Sequence, residues 1–240
     1  MPDIRKTLAR CGRSLWRYPI DIVRWHIDAW FDRCHGIDTS GKLSLAALKI
    51  SSPHVSEATW YEPVPTVGFR RLMRSLDIEH DQYVFIDYGS GKGRALFLAA
   101  DYPFKEVIGL EFSGELHETA ERNIQRYRSP RQRARVLRSV CIDAVDFELP
   151  PVKSVLFFYS PFKASIFEKI LCNVRRSLTE HPRSLYLVFI GFLPESVRVL
   201  KASGFECREV PLGTDYIRWE RKTGLILHSG GPAGPVSGTS

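Results

Sequence analysis

Val84-Phe85-Ile86-Asp87-Tyr88-Gly89-Ser90-Gly91-Lys92-Gly93-Arg94 begins apolar, passes through an acidic residue and then places glycine at alternate positions. It leads into Ala95, Leu96, Leu98 and Ala99. The first part predicts a buried strand and the last an apolar helix. The glycines predict a tight turn between them, whose bare backbone a ligand can approach closely. Such a loop falls at the carboxyl end of its strand, where open α/β sheets bind ligands.

Two phosphate-binding readings of the loop are weakened residue by residue. A dinucleotide fingerprint begun at Gly89 needs glycine or alanine where Arg94 stands. A P-loop needs glycine at Ile86 and a hydroxyl residue after Lys92, where Gly93 follows instead. The remaining pattern is an acidic residue followed by Gly-x-Gly-x-Gly.

Outward from the loop, strand-like and helix-like segments alternate, the pattern of crossover units on a parallel sheet. The apolar runs predict strands at Val84–Tyr88, Val107–Glu111, Arg135–Ile142, Ser154–Tyr159 and Ser184–Ile190. Helices are expected near Gly93–Ala100, Glu115–Arg126, Lys163–Leu178 and Pro194–Ser203. Phe205–Leu212 and Tyr216–Thr223, joined across Gly213-Thr214-Asp215, read as an antiparallel hairpin closing the sheet. The fold expected is α/β: a doubly wound, mostly parallel sheet with a C-terminal antiparallel hairpin and an N-terminal helical extension. Its divisions are 1–76, a helical extension or lid; 77–228, the ligand-binding domain; and 229–240, a Gly, Pro and Ser tail expected to be disordered.

On these residues the chain resembles the class I S-adenosylmethionine-dependent methyltransferases, over roughly Tyr83 to Phe205. Phe85 to Arg94 together with Phe112-Ser113-x-Glu115-Leu116-His117 is similar to a bacterial group of unassigned substrate. The resemblance implies S-adenosyl-L-methionine as cofactor, bound by Asp87, Gly89, Ser90, Gly91, Gly93, Glu111, Asp143 and Ala144. Glu111, ending the second strand, would accept from both ribose hydroxyls. Asp143 would accept from the adenine amino group, with Asp146 as the alternative, and the Ala144 amide would address the ring. Asp87 would shape the loop and face the cofactor's amino end.

Many amino-group methyltransferases place Asn or Asp, two prolines and an aromatic after the fourth strand. Here the residues are Ser160-Pro161-Phe162-Lys163. A serine hydroxyl can accept from an amine and Phe162 can stack on a flat or cationic acceptor, so Ser160 and Phe162 are the catalytic candidates. The bland alternative is a strand-to-helix turn with Pro161 at the first helical position. No general base is needed, because methyl transfer from a sulfonium is an in-line displacement served by alignment and exclusion of water.

The chain has 240 residues, 44% hydrophobic and 25% charged, as expected for one folded domain with appended segments. No apolar run reaches the ~20 residues of a membrane-crossing helix. Five scattered cysteines form no ligand pattern, so no metal is expected and a reducing, cytoplasmic setting is the default. The net charge of +7 gathers in Arg5, Lys6, Arg10, Arg13 and Arg17, and again in Arg122, Arg126, Arg128, Arg131, Arg133, Arg135 and Arg138.

In the extension, Ile4, Leu8, Cys11 and Leu15 form one helical stripe and Val23, Ile27 and Trp30 another. Trp16, Trp25, Trp30, Trp60 and Tyr61 lie among basic residues, suited to a lid over the pocket, to plain coverage of the sheet edge, or to an interfacial membrane helix. Tyr61-Glu62-Pro63-Val64-Pro65 is the segment expected to touch cofactor or substrate. The leading function is methyl transfer to a small molecule or protein nitrogen. An RNA or DNA methyltransferase, a non-catalytic cofactor-binding partner protein and a nicotinamide-dependent oxidoreductase are the alternatives.

Overall fold

The computed structural model describes residues 26, 29–44, 60–159, 164–191, 204–214 and 221–229. Residues 29–35 form a helix, α1. Two short strands, β1 (Leu43–Ser44) and β2 (Trp60–Tyr61), pair antiparallel. Then follow α2 (Thr66–Arg74), β3 (Val84–Tyr88), α3 (Arg94–Ala99), β4 (Glu106–Glu111), α4 (Gly114–Arg126), β5 (Leu137–Cys141), β6 (Ser154–Tyr159), α5 (Ala164–Glu180), β7 (Leu185–Ile190), β8 (Glu206–Thr214) and β9 (Arg221–His228).

The last seven strands make one sheet in the order β5-β4-β3-β6-β7-β9-β8. β3 to β7 are mutually parallel, while β9 runs antiparallel to both β7 and β8. From β3 the chain first winds outward through β4 to β5, then crosses back to β6 on the other side of β3. The glycine loop therefore leaves β3 at the point where the winding direction reverses, the crevice in which such sheets hold ligands.

Alternation along each strand sorts the side chains into two cores. Phe85, Val107, Val155, Phe157, Val188 and Ile226 pack with Phe69, Leu72 and Met73 of α2 and the apolar residues of α3. Ile86, Ile108, Leu156, Phe158, Leu187 and Leu227 pack with Ile166, Phe167, Ile170, Leu171 and Val174 of α5. A sheet covered on both faces has no place for polar alternation, which is why its central strands read as unbroken apolar runs.

The expected architecture is the one observed, with strand ends shifted by one or two residues at β4, β5 and β7. The hairpin is the exception. β8 continues through Gly213 and Thr214, and β9 begins at Arg221 rather than Tyr216. The reason lies in burial: Leu225, Ile226 and Leu227 can sit between β7 and β8, whereas Tyr216–Thr223 carries four charged residues. Pro211, which lacks an N–H, falls on the edge strand β8 beside an irregularity in register. Trp30 is exposed, not part of a buried stripe. The other residues of both N-terminal stripes, the basic group from Arg5 to Arg17 and the helix expected at Pro194–Ser203 lie outside the described residues. So does the segment read as a tail, apart from Ser229, whose hydroxyl accepts from the Leu185 amide (3.1 Å).

Candidate active site

The loop after β3 is built by glycine where other residues would be strained. Gly89, Gly91 and Gly93 take φ of +86°, +54° and +93°. The amides of its glycines and of Ser90 are spent within the fold. Gly89 N and Ser90 N both donate to the Leu110 carbonyl (2.9 Å), and Gly93 N donates to the Ser90 carbonyl (2.8 Å). Gly91 N donates to Oε2 of Glu111 (2.7 Å). A phosphate cradle needs such amides free to face an anion. This loop offers shape and nearby carboxylates instead, in keeping with the departures from both phosphate motifs in the sequence.

Two of those carboxylates stand side by side. Asp87 pairs with Gly109 across β3 and β4, so Asp87 and Glu111, two residues beyond Gly109, lie on the same face of the sheet. Each is 3% exposed. Glu111 accepts from Gly91 N and, through Oε1, from Ser113 N (2.9 Å). Burial pushes its carboxyl up to about 7, against backbone hydrogen bonds from Ser113, Gly91 and Phe112 that favour the charge. The Asp87 carboxylate makes no hydrogen bond among the described residues. Burial, reinforced by the neighbouring Glu111 charge, raises its carboxyl well above the usual range.

Between them, Ser90 closes over β4. Its Oγ would lie 2.6 Å from a β-carbon placed on Gly109, so only glycine fits beneath it. The buried Ser90 hydroxyl has no hydrogen-bond partner among the described residues. A buried carboxylate without donors and an orphaned hydroxyl are groups that a polar ligand would satisfy.

Asp143 and Ala144 follow β5. Ile142 N donates to the Glu111 carbonyl (3.0 Å), which fixes the turn beside the end of β4. Asp143 Oδ1 accepts from Val145 N (3.1 Å) and its carbonyl from Asp146 N (3.0 Å), holding the turn closed. Ala144 is buried against the α5 side of the sheet. Gly89, Ser90, Gly91, Gly93, Asp87 and Glu111 are thus in direct contact or adjacent, with Asp143 and Ala144 on the next loop. Ser160 and Phe162 lie outside the described residues. Among the described residues no cluster of His, Cys, Asp and Glu could hold a metal ion, and Cys34, Cys141 and Cys172 form no disulfide.

The N-terminal segment is fastened onto this loop. Arg94, 2% exposed, reaches from the start of α3 to Asp32 (3.2 Å) and Thr39, with its guanidinium over the Phe31 ring. Asp32 also accepts from the Thr39 and Ser40 amides (2.7 and 2.6 Å). Lys92 donates to Asp38 (3.0 Å), and Asn123 of α4 exchanges hydrogen bonds with the Asp38 backbone while donating to the Lys92 carbonyl. Tyr61 donates from its hydroxyl to the Thr39 carbonyl (2.7 Å) and lays its ring against Gly91. Asp32, Thr39 and Asn123 escaped the sequence reading. The signal was Lys92 and Arg94 themselves: two cations inside an apolar strand-to-helix junction must find buried partners.

No protein-family model and no curated protein matches this sequence. Solved structures do align with the fold. One is a precorrin 8w decarboxylase from Methanobacterium thermoautotrophicum, 17% identical over 70% of this chain and 92% of that one, TM-score 0.47. Another is an RNA methyltransferase from Salinibacter ruber in complex with S-adenosyl-L-homocysteine, 19% identical over 69% and 92%, TM-score 0.47. A third is a SAM-dependent methyltransferase from Leishmania major, 14% identical over 68% and 71%, TM-score 0.49. These similarities concern chain fold; they carry neither an activity nor a substrate to this protein.

Proposed function

We propose that this chain is an S-adenosylmethionine-dependent methyltransferase, with the cofactor in the crevice formed by the glycine loop, Glu111 and the Asp143 turn. The observation that carries the reading is the placement of Asp87 and Glu111 on one face of adjacent parallel strands, beside a loop whose glycine and Ser90 amides are spent internally. The cofactor supplies a sulfonium-bound methyl group as electrophile. It needs no phosphate cradle, only acceptors for its hydroxyl and amino donors.

A carboxylate offers about four acceptor sites, so Glu111, which already takes the Gly91 and Ser113 amides, can still accept from ribose hydroxyls. Asp87, lacking donors, suits an ammonium group, and the Ser90 hydroxyl a further polar atom. Asp143 and the Ala144 amide, on the turn tied to the end of β4 through Ile142, would address the adenine ring. Tyr61, pressed on Gly91 and anchored through Thr39, would wall the crevice and exclude water. Ser160 and Phe162, following β6, would position the acceptor, a nitrogen of a small molecule or protein side chain. The chain then supplies binding, alignment and desolvation, with no acid-base step.

Thermal-shift titration with adenosylmethionine, adenosylhomocysteine and NAD tests the first layer. The two adenosyl sulfur compounds should stabilise the chain by about 2.7 kcal/mol at a hundred times Kd, and NAD should not. Stabilisation by NAD alone would overturn the reading. Incubation with methyl-labelled adenosylmethionine and fractionated cell lysate then identifies the acceptor. Cofactor binding with no label in any fraction would favour a non-catalytic partner protein.

A further inference from the structure

Residues 122–142 contain seven arginines, no lysine and no acidic residue. The whole chain has 34 basic and 27 acidic residues, so its entire net charge of +7 equals the charge of this one segment. The seven are Arg122, Arg126, Arg128, Arg131, Arg133, Arg135 and Arg138, and all seven are exposed. They run along the C-terminal half of α4, the connection that follows it and the start of β5.

The carboxylates nearest to this face are already engaged. Glu118 pairs with Arg122 (3.8 Å) and Glu106 with Arg138. Glu121 accepts from the Ser139 amide (3.0 Å), and Asp101 pairs with Arg70 (2.9 Å). Arg128 spends its guanidinium on the Gln125 and Tyr127 carbonyls. Arg126, Arg131, Arg133 and Arg135 make no ion pair among the described residues. The connection that presents them is anchored: Arg133 N and Ala134 N donate to the Ala100 carbonyl, and Tyr127 is buried against Phe97.

We propose that this arginine face docks the phosphate backbone of a double-stranded nucleic acid. Four uncompensated guanidiniums on a fixed surface suit phosphate, which arginine grips in a planar fork that lysine lacks. A single strand would call for exposed aromatic rings on which bases stack, and the aromatic residue of the segment, Tyr127, is buried. A membrane surface would call for apolar side chains to insert, and Val136 is the exposed large apolar residue here. Among the described residues no helix or ribbon projects from the face to enter a groove, so contact is with the backbone and independent of sequence.

Arg131 to Arg138 lie toward the starts of β4 and β5, away from the carboxyl ends of the strands, while Arg122 flanks Asn123, which reaches the Lys92 carbonyl. α4 runs back from Ser113, beside Glu111, and Leu137 pairs with Val107 near the start of β4. Docking there therefore concerns where the protein sits, and it stands whether or not the crevice holds adenosylmethionine.

The test is fluorescence-anisotropy titration of the full chain, without cofactor, against 20-base-pair DNA and RNA duplexes over 50 to 200 mM salt. Four phosphate contacts give a slope near −3.6 in log K against log salt, a loss of about 150-fold across that range. The variant R126Q/R131Q/R133Q/R135Q should lose that slope, while R175Q/R176Q on α5 should keep it. Melting curves of the first variant show that it is folded. Absence of duplex binding, a slope unchanged in that variant, or tighter binding to a single-stranded oligonucleotide or to phosphatidylserine vesicles would each overturn the proposal.

Discussion

The ring of Tyr61 lies so close to Gly91 that a β-carbon on the glycine would meet Cε2 at 2.2 Å and Cδ2 at 2.3 Å. Gly91 also sits at φ +54° and donates its amide to Glu111. One residue thus joins the N-terminal segment, the loop and the carboxylate at the end of β4. Gly91→Ala should cost about 1–2 kcal/mol from the backbone conformation alone, and more from the clash. In the double variant with Tyr61→Ala, urea denaturation should show the clash contribution removed and the backbone cost retained. If Gly91→Ala is as stable as the parent, the ring does not rest there.

Glu111 gives a pH dependence with a definite sign. Its folded carboxyl, pushed up to about 7 from 4.5, holds a proton that the unfolded chain has released. The stability it contributes is complete below 4.5 and is lost as pH rises through about 7. Melting temperatures of the ligand-free protein should therefore fall from pH 5 to 8, less steeply in Glu111→Gln. Asp87 shares the burial and is raised too, so part of the slope remains.

Cofactor affinity should run the other way. Ribose hydroxyls donate to a carboxylate and favour its charged form, so adenosylmethionine should bind up to about tenfold tighter per pH unit below about 7, then level off. Calorimetry on the parent and on Glu111→Gln checks this. Unchanged affinity in the variant would remove Glu111 from the crevice.

Arg94 and Asp32 form a buried ion pair that Thr39 completes. Arg94→Met should destabilise the protein by about 3–5 kcal/mol, because it leaves the Asp32 charge buried without its cation. Adding Asp32→Asn should recover part of that loss. Additive effects in a double-mutant cycle would show that the two are not coupled.

Gly109→Ala tests the loop from below. The new methyl group would fall 2.6 Å from Ser90 Oγ and 2.9 Å from Leu96 Cδ1. Loop and helix must shift, so cofactor binding should weaken at least as much as in Ser90→Ala, although residue 109 lies inside β4. Equal affinity for parent and Gly109→Ala would show that the loop tolerates displacement.

Much of the architecture was written locally. An apolar run of five or six residues bounded by Gly, Pro or charge becomes a strand covered on both faces, because nothing else buries it; hence Val84–Tyr88 and Ser154–Tyr159 could be read to the residue. Glycines at alternate positions demanded the positive-φ bend, and the spacing of Asp87, Glu111 and Asp143 placed each near the carboxyl end of its own strand. What the order of residues could not say was which side chains meet across long separations. Whether Arg94 finds Asp32, Asn123 finds Asp38 or Tyr61 finds Gly91 depends on how the N-terminal segment lies on α3 and α4. The hairpin turn was misplaced for the same reason: the position of β9 depends on which residues can be buried against β7, and local turn propensity at Gly213 is weaker than that burial. Short-range sterics and hydrophobic periodicity act through neighbours in sequence, whereas the desolvation that pairs a buried charge acts through neighbours in space.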